Sequence, residues 1–409
     1  MSRLARLVVV VLSALVICYI GLGYVLGKTG EDRTYRSLTV FSEVLQRIQQ
    51  DYVEEPNLPL VTSGALHGLL ESLDPMSSYL SPREYADYKQ KSQRGAKVEI
   101  GATLSKRFGY IVVVSVLPGS PAAKAGLRYG DILEAIAGFT TREMSVGQAQ
   151  ILVAGDAGTA VKVAVVGRGR TEPKEIEVIR ERVVPPHALA DKVAPDTAYL
   201  HVASLEVGQA PEIREKLLQF EKQGLRKLVL DLRGCGRGDA SEAVAIARLF
   251  VSSGTIVTLR GQTVTRQEFA AEPAKAVWKY PMTVLISGST SGAPEILAAG
   301  IGGNQRGELV GARTFGSASE QKLIPLEDGA ALLLTVANYY TPAGKSIPEE
   351  GVAPTVEVRA ARGEVSDAGE EEAPQTPSAE PPAARAPSPD DPVLKKAIEL
   401  LNGEPRKAA

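Results

Sequence analysis

A hydroxyl-rich turn is the stretch of this sequence whose residue types could most directly do chemistry. Residues 286–295 read ISGSTSGAPE and lie between an apolar run and an alanine-rich stretch. A turn between a strand and a helix can present a nucleophile, provided that a base lies within hydrogen-bond reach. Ser289, Thr290 and Ser291 supply the candidate hydroxyls, and one of them must have such a base if the turn is catalytic.

The composition is that of a globular protein with two or three domains. The 409 residues carry a net charge of −2, with 44% hydrophobic and 23% charged residues, and no basic patch predicts a nucleic-acid partner. Because Cys18 lies in an apolar segment, it cannot form an internal disulfide with Cys235. Three histidines without a Cys/His cluster predict neither a metal site nor a cofactor.

The N-terminus has the pattern of a membrane anchor. Arg3 and Arg6 precede an uncharged stretch, Leu7–Gly27, which Lys28 closes. A stretch of roughly 20 apolar residues can cross the ~30 Å hydrocarbon core. Residues 1–29 are therefore predicted to be an uncleaved, single-pass signal anchor in the cytoplasmic (inner) membrane, with the rest of the chain in the periplasm or extracytoplasmic space. A cleaved signal peptide is the alternative.

Beyond the anchor, the sequence predicts an α/β multidomain protein. In the first segment after the anchor, apolar residues recur every three or four positions, which favours helices. Short strands follow. In the next segment strands alternate with helices, which predicts a sheet covered by helices. A stretch rich in Pro, Ala and Glu is typical of a disordered linker, and an amphipathic helix with Asp391 as N-cap ends the pattern. The predicted segments are a helical region (30–95), a strand-rich domain (96–182), an α/β core (183–360), the linker (361–391) and a C-terminal helix and tail (392–409).

The strand-rich domain carries a peptide-binding motif. LPGSPAAKAGLRYGDILEAIAG (Leu117–Gly138) resembles the centre of a PDZ domain. The resemblance implies a groove that accepts a peptide as an added strand and captures its carboxylate with backbone N–H groups. The loop VEIGATL puts Ile100, Gly101 and Ala102 nearest that carboxylate. A strand and loop without binding is the alternative.

Taken in order, the motifs between residues 38 and 358 resemble the carboxy-terminal processing proteases (tail-specific proteases) of bacteria and chloroplasts. The stretches that carry the resemblance, besides the PDZ motif, are LESLDPMSSYLSPREY, LVLDLRG, ELVGARTFG and LEDGAALLLTVANYYTPAGKSI. The resemblance implies an exported serine protease whose PDZ domain recruits a substrate C-terminus and whose Ser–Lys dyad cuts it.

The sequence departs from this family at both dyad positions. The family nucleophile precedes a Glu-Ile pair by three positions, which places Gly292 there when Glu295 anchors the match. The lysine position is Ser317, at the family's separation of 25 residues (292 to 317), and Gln321 matches the glutamine that the family places beside the lysine. Glycine offers no side chain and serine is no general base near neutral pH, so the family mechanism cannot run with these residues.

The oxyanion loop also departs from the family pattern. The family's Asn-Pro-Gly-Gly is here CGRG, with Arg237 in place of the first glycine and Gly238 retained. Arginine can still donate a backbone N–H but lacks glycine's conformational freedom.

These departures predict a non-catalytic pseudoprotease. Together with the anchor and the PDZ motif, they predict a membrane-anchored protein that binds peptides and has a regulatory role. Its expected partners are C-terminal or extended peptides of exported proteins, or an active protease paralogue. The alternative is an active serine endopeptidase that uses displaced groups, with Ser291 as nucleophile and Lys322 as base. A Cys235–His201 site is a third and weaker hypothesis, because no histidine is clearly placed to activate the thiol.

Overall fold

The computed structural model describes residues 16–19, 36–93, 98–167, 172–358 and 390–403. Most of the predicted anchor, and the predicted linker up to residue 389, lie outside these described residues. Within the described ranges, no helix is both long and apolar enough to cross a bilayer. The chain forms two compact units, residues 1–66 and 67–409.

The first unit is helical where it is described. Residues 36–51 form α1, and α2 (Leu58–Glu71) begins in this unit. The apolar side chains of Leu38 and Val44 are 57% and 51% exposed, and no described residue from 36 to 66 is fully buried.

The second unit contains all the other elements. Its further helices are α3 (Pro82–Gln93), α4 (Pro121–Lys124), α5 (Val146–Val153), α6 (Gln209–Lys222), α7 (Ala240–Ala247), α8 (Ala293–Gly303), α9 (Ile347–Glu350) and α10 (Pro392–Asn402), with a 3-10 turn at Pro273–Lys275. Its strands are β1 (Ser78–Leu80), β2 (Val98–Glu99), β3 (Ala102–Arg107), β4 (Tyr110–Val116), β5 (Ile132–Ile136), β6 (Phe139–Thr140), β7 (Ala160–Val166), β8 (Lys174–Ile179), β9 (Glu181–Arg182), β10 (Leu189–Ala194), β11 (Thr197–His201), β12 (Lys227–Asp231), β13 (Thr255–Arg260), β14 (Gln267–Ala270), β15 (Met282–Ile286), β16 (Glu308–Gly311), β17 (Ser319–Pro325), β18 (Ala331–Tyr340) and β19 (Val356–Glu357).

The PDZ prediction is confirmed by an antiparallel sheet in the order β3-β4-β5-β7-β8, with β6 paired to β5. Ile111, Val113 and Leu133 lie in its buried core. Helix α5 begins with a capping box, in which the Gln148 backbone N–H donates to Ser145 Oγ (3.2 Å) and the Ser145 N–H donates to Gln148 Oε1 (2.8 Å). This cap fixes the start of the helix that faces edge strand β3.

The α/β core is also confirmed. Its six-stranded sheet has the order β10-β11-β12-β15-β16-β19 and is parallel except for the β10–β11 pair. Successive residues of β12 point to opposite faces: Leu228 and Leu230 pack in one cluster with α6, α7 and α8, whereas Val229 packs in another with α10. Both faces are therefore covered.

Helix α10 docks on the body through polar contacts as well as apolar ones. Asp391 Oδ1 accepts the Val393 N–H (2.9 Å) as an N-cap, and its Oδ2 pairs with Arg233 Nη1 at 2.6 Å. Arg233 Nη2 also contacts Asp231 Oδ2 at 2.5 Å. The predicted cap residue thus anchors the helix to the loop that follows β12.

A second sheet, β1-β18-β13-β14 with β17 paired to β18, brings the segment before α3 onto the core. LEDGAA, whose Asp-Gly pair is typical of a hairpin turn, joins β17 to β18, and the Leu326 N–H donates to the Ala330 carbonyl at 2.9 Å. Ser317 lies in the loop between β16 and β17, just before the first strand of this hairpin begins at Ser319.

Candidate active site

Two loops at one edge of the parallel sheet form the candidate site. β15 ends at Ile286 and leads through residues 287–292 into α8, while β16 ends at Gly311 and leads through residues 312–318 into β17. β15 and β16 are parallel neighbours, so their carboxyl ends meet at the same edge. The two dyad positions are thereby brought together.

Gly292 occupies the turn in a conformation that suits glycine. Its φ of 69° and ψ of −126° lie outside the regions that other residues favour. A Cβ atom built at this position would have only Ser317 Oγ within 4 Å, at 4.0 Å. Positions 292 and 317 thus face each other across open space, without a nucleophile on one side or an amine on the other.

The Glu295 side chain forms hydrogen bonds with both loops. Its side chain is fully buried and accepts N–H groups from Gly292 (2.8 Å), Gly316 (2.7 Å) and Ser317 (2.8 Å), together with the Thr314 hydroxyl. Burial raises the pKa of this carboxyl, and the hydrogen bonds donated by Thr314, Ser317, Gly316 and Gly292 act in the opposite direction. The carboxylate is saturated with donors, and none of the described residues forms an ion pair with it.

The Ser291 hydroxyl is bonded to another hydroxyl. Ser291 Oγ lies 2.6 Å from Ser317 Oγ, and the Ser291 N–H donates to the Cys235 carbonyl at 3.0 Å. The other candidate hydroxyls hold loops in place, because Ser289 Oγ accepts the Gly234 N–H and Thr290 Oγ1 donates to the Leu232 carbonyl.

Lys322 and Gln321 both lie on β17. The Lys322 side chain is exposed to solvent. Gln321 Nε2 donates to the Met76 carbonyl at 2.8 Å, which ties β17 to the segment before β1. Gln321, which matches the family pattern, therefore holds β17 against the segment before β1 in this chain.

Backbone contacts with Leu205 fix the shape of the CGRG loop. The Leu205 N–H donates to the Arg237 carbonyl at 3.0 Å, and Gly238 forms an isolated bridge to Leu205. With a φ of 146°, Gly238 would place a Cβ atom 2.5 Å from the Leu205 carbonyl oxygen. Only glycine fits at this retained position.

The Arg237 side chain crosses to the PDZ domain. Its Nη2 lies 2.7 Å from Glu99 Oε1, and its Nε lies 3.2 Å from Glu206 Oε1. Thr103 Oγ1, also on the PDZ domain, donates to the Gly236 carbonyl at 3.0 Å. The arginine that departs from the family pattern thus links the oxyanion-type loop to the PDZ domain.

Cys235 and His201 are separately engaged. Cys235 is fully buried, and this burial raises the pKa of its thiol far above the usual range. His201 Nε2 lies 3.2 Å from the Arg233 carbonyl oxygen. A buried neutral thiol is a poor nucleophile. Among the described residues, no group of three or more His, Cys, Asp or Glu side chains could hold a metal ion.

The predicted carboxylate loop has one position that requires glycine. Ile100 is fully buried, and its carbonyl accepts the Ala122 N–H at 2.8 Å. Gly101 has a φ of 76°, and a Cβ atom there would lie 2.3 Å from Ser120 Cβ. Ala102 is partly exposed and opens the edge strand β3.

A groove of about 590 Å³ runs beside this loop, between β3 and α5. Ala102 and Leu104 line one wall, Ile151 and Val153 the other, and Arg237 reaches it from the core. An apolar groove along a free strand edge can take an extended peptide by strand addition.

A larger cleft of about 780 Å³ opens beside Ser317, and its lining includes Arg107 and Arg260. Nothing in the sequence pattern singles out these two residues, because one arginine at the end of a strand is typical of a solvated surface. Their shared location depends on how the PDZ domain is placed against the core.

Comparison with known proteins is consistent with this geometry. Residues 196–358 match Peptidase family S41 and residues 112–167 match a PDZ domain. A carboxy-terminal-processing protease of Bartonella bacilliformis is 30% identical over 333 residues, which cover 80% of this chain and 76% of that protein. A carboxyl-terminal-processing protease of Synechocystis is 31% identical over 315 residues, which cover 75% and 73%.

One solved structure extends the likeness to three dimensions. The photosystem II D1 C-terminal processing protease superposes with a TM-score of 0.65 at 25% identity, covering 78% of this chain and 92% of that one.

Proposed function

The chain belongs to the family of carboxy-terminal-processing proteases, and on that premise we propose that it is a membrane-anchored member that binds peptides without cutting them. The observation that carries the proposal is the pair of facing positions Gly292 and Ser317, which offer neither a nucleophile nor a basic nitrogen. Acyl transfer by this family's route needs both.

Ser291 does not replace the missing nucleophile on this account. Its hydroxyl bonds to Ser317 Oγ, which is not a base, and Ser317 Oγ lies 3.5 Å from Glu295 Oε2. That carboxylate oxygen already accepts two backbone N–H groups, from Gly292 and Ser317. A proton relay from Ser291 to Glu295 would have to cross a long contact to an acceptor that is already satisfied.

The binding role rests on the PDZ domain and on the groove between β3 and α5. β3 is an edge strand, so an added peptide strand has a template there. We place the groove outside the cytoplasm, because residues 1–29 have the pattern of a signal anchor. The partners in this proposal are C-terminal peptides of exported proteins or an active protease paralogue that the protein regulates.

Peptide binding is expected to be lost when the groove is blocked at Ala102. Full-length protein would be titrated against a fluorescein-labelled library of apolar peptides with free C-termini, and binding would be followed by fluorescence anisotropy. Ala102→Trp should weaken the best ligand by at least about tenfold, which corresponds to ~1.4 kcal/mol, because the indole fills the groove. Amidation of the peptide C-terminus should weaken it in the unmodified protein.

Glu177→Trp is the matched control, since Glu177 is exposed on β8 and does not line the groove. Gly101→Val provides a second test, because its added atoms would collide with Ser120. If Ala102→Trp and Glu177→Trp bind the peptide equally well, or if no peptide binds, the groove is not a peptide site.

A further inference from the structure

We propose that the cleft beside Ser317 binds an acidic peptide segment whose carboxylates are held by Arg107 and Arg260. The proposal extends the peptide-binding role from the PDZ groove to a second surface, and it rests on the proposed function because a segment that stays bound in this cleft must not be cut.

The first support is the charge of the cleft. Its charged lining residues are Lys106, Arg107, Arg260 and Asp74. Lys106 is neutralised by Glu71 at 2.7 Å. Asp74 is occupied by donors from within the chain, among them the Ser77 hydroxyl (2.7 Å) and the Thr335 hydroxyl (3.1 Å). With Lys106 paired, the two arginines outweigh the single carboxylate of Asp74, so the cleft carries a net positive charge.

The second support is how the arginines are held. The Arg107 guanidinium lies 4.0 Å from the centre of the Phe315 ring, and Arg260 lies 4.8 Å from the centre of the Tyr340 ring. Stacking on an aromatic face orients a guanidinium and leaves its edge N–H groups available for a carboxylate. Each arginine is thus positioned before any ligand arrives.

The third support is unused hydrogen-bonding capacity. Within the described part of the chain, Arg107 donates one hydrogen bond, from Nη2 to the Phe315 carbonyl (3.0 Å). Arg260 Nε is buried and lacks a hydrogen-bond partner among the described residues. Neither guanidinium lies within 4.0 Å of a carboxylate of the described chain. The capacity of both guanidinium groups to pair with a carboxylate is therefore left for a ligand.

The cleft also has a suitable size and lining for a peptide. Its volume of about 780 Å³ lies within the roughly 300–1,000 Å³ range of ligand sites. Leu73, Met76 and Val336 supply apolar surface for the peptide backbone and small side chains. The lining therefore favours carboxylates spaced along an otherwise small-residue segment.

The test uses a fluorescein-labelled, C-terminally amidated peptide of alternating Asp and Ala, titrated into the full-length protein. The amide removes the carboxylate that a PDZ groove would capture. We expect binding that weakens as salt rises, and a roughly tenfold loss for each of Arg107→Gln and Arg260→Gln. Arg260→Lys should recover only part of the affinity, since lysine keeps the charge but not the planar fork.

Arg266→Gln is the control, because Arg266 is 63% exposed and does not line the cleft. Equal binding of an Asn-Ala peptide, an unchanged affinity in both arginine variants, or complete displacement by millimolar inorganic phosphate would overturn the assignment. Ala102→Trp should leave this peptide's affinity unchanged, so that a failure here is distinguishable from a failure of the PDZ groove.

Discussion

Replacement of Glu295 by alanine is expected to destabilise the second unit by at least about 3 kcal/mol, because each buried donor left without an acceptor costs about 1–3 kcal/mol. The variant leaves the N–H groups of Gly292, Gly316 and Ser317 without their acceptor. Urea unfolding followed by circular dichroism measures the change as a lower midpoint at an unchanged slope.

Glu327→Ala is the matched control, since Glu327 is exposed in the β17–β18 turn. Glu295→Gln should also be destabilising, because the NH2 group of glutamine would face backbone N–H groups and cannot accept their hydrogen bonds. Coincident unfolding curves for Glu295→Ala and Glu327→Ala would show that the carboxylate does not hold the two loops together.

Restoring the dyad is expected to create a protease. Gly292→Ser with Ser317→Lys should cut an unfolded protein substrate at least about 10²-fold faster than the unmodified chain, the low end of what a positioned base contributes. The site has room, because a Cβ atom at position 292 meets only Ser317 Oγ, at 4.0 Å. The positive φ at Gly292 will cost about 1–3 kcal/mol of stability.

Adding Arg237→Gly to the double variant should raise the rate further, because the loop regains glycine's freedom to aim an N–H at the oxyanion. Each single variant, which lacks half of the dyad, is the control. If the double variant folds but cuts no faster than either single one, positions 292 and 317 are not the family's dyad positions.

The fold was largely predictable because its signals are local. The apolar run of β12 is typical of a strand covered on both faces, and the Asp-Gly pair between β17 and β18 is typical of a hairpin turn. The contacts that define the site are not local. Arg237 meets Glu99 from 138 positions away, and Ser291 meets Ser317 across 26. The spacing of apolar residues along the sequence does not predict which side chains contact each other over such separations.

The cleft with its two arginines could not be predicted from the sequence for the same reason. Arg107 and Arg260 come from different domains, and their proximity follows from domain placement. By contrast, the prediction for Gly292 and Ser317 needed only the family's motif pattern, the anchor at Glu295 and the separation of the two positions. The chain's catalytic state is therefore the part of the account that the sequence alone could address.

The most direct measurement is covalent labelling of the unmodified full-length protein with a fluorophosphonate probe, alongside digestion of an unfolded protein. We expect neither labelling nor cleavage from the unmodified protein, and both from the Gly292→Ser, Ser317→Lys variant. Cleavage by the unmodified protein that Ser291→Ala abolishes would contradict this expectation.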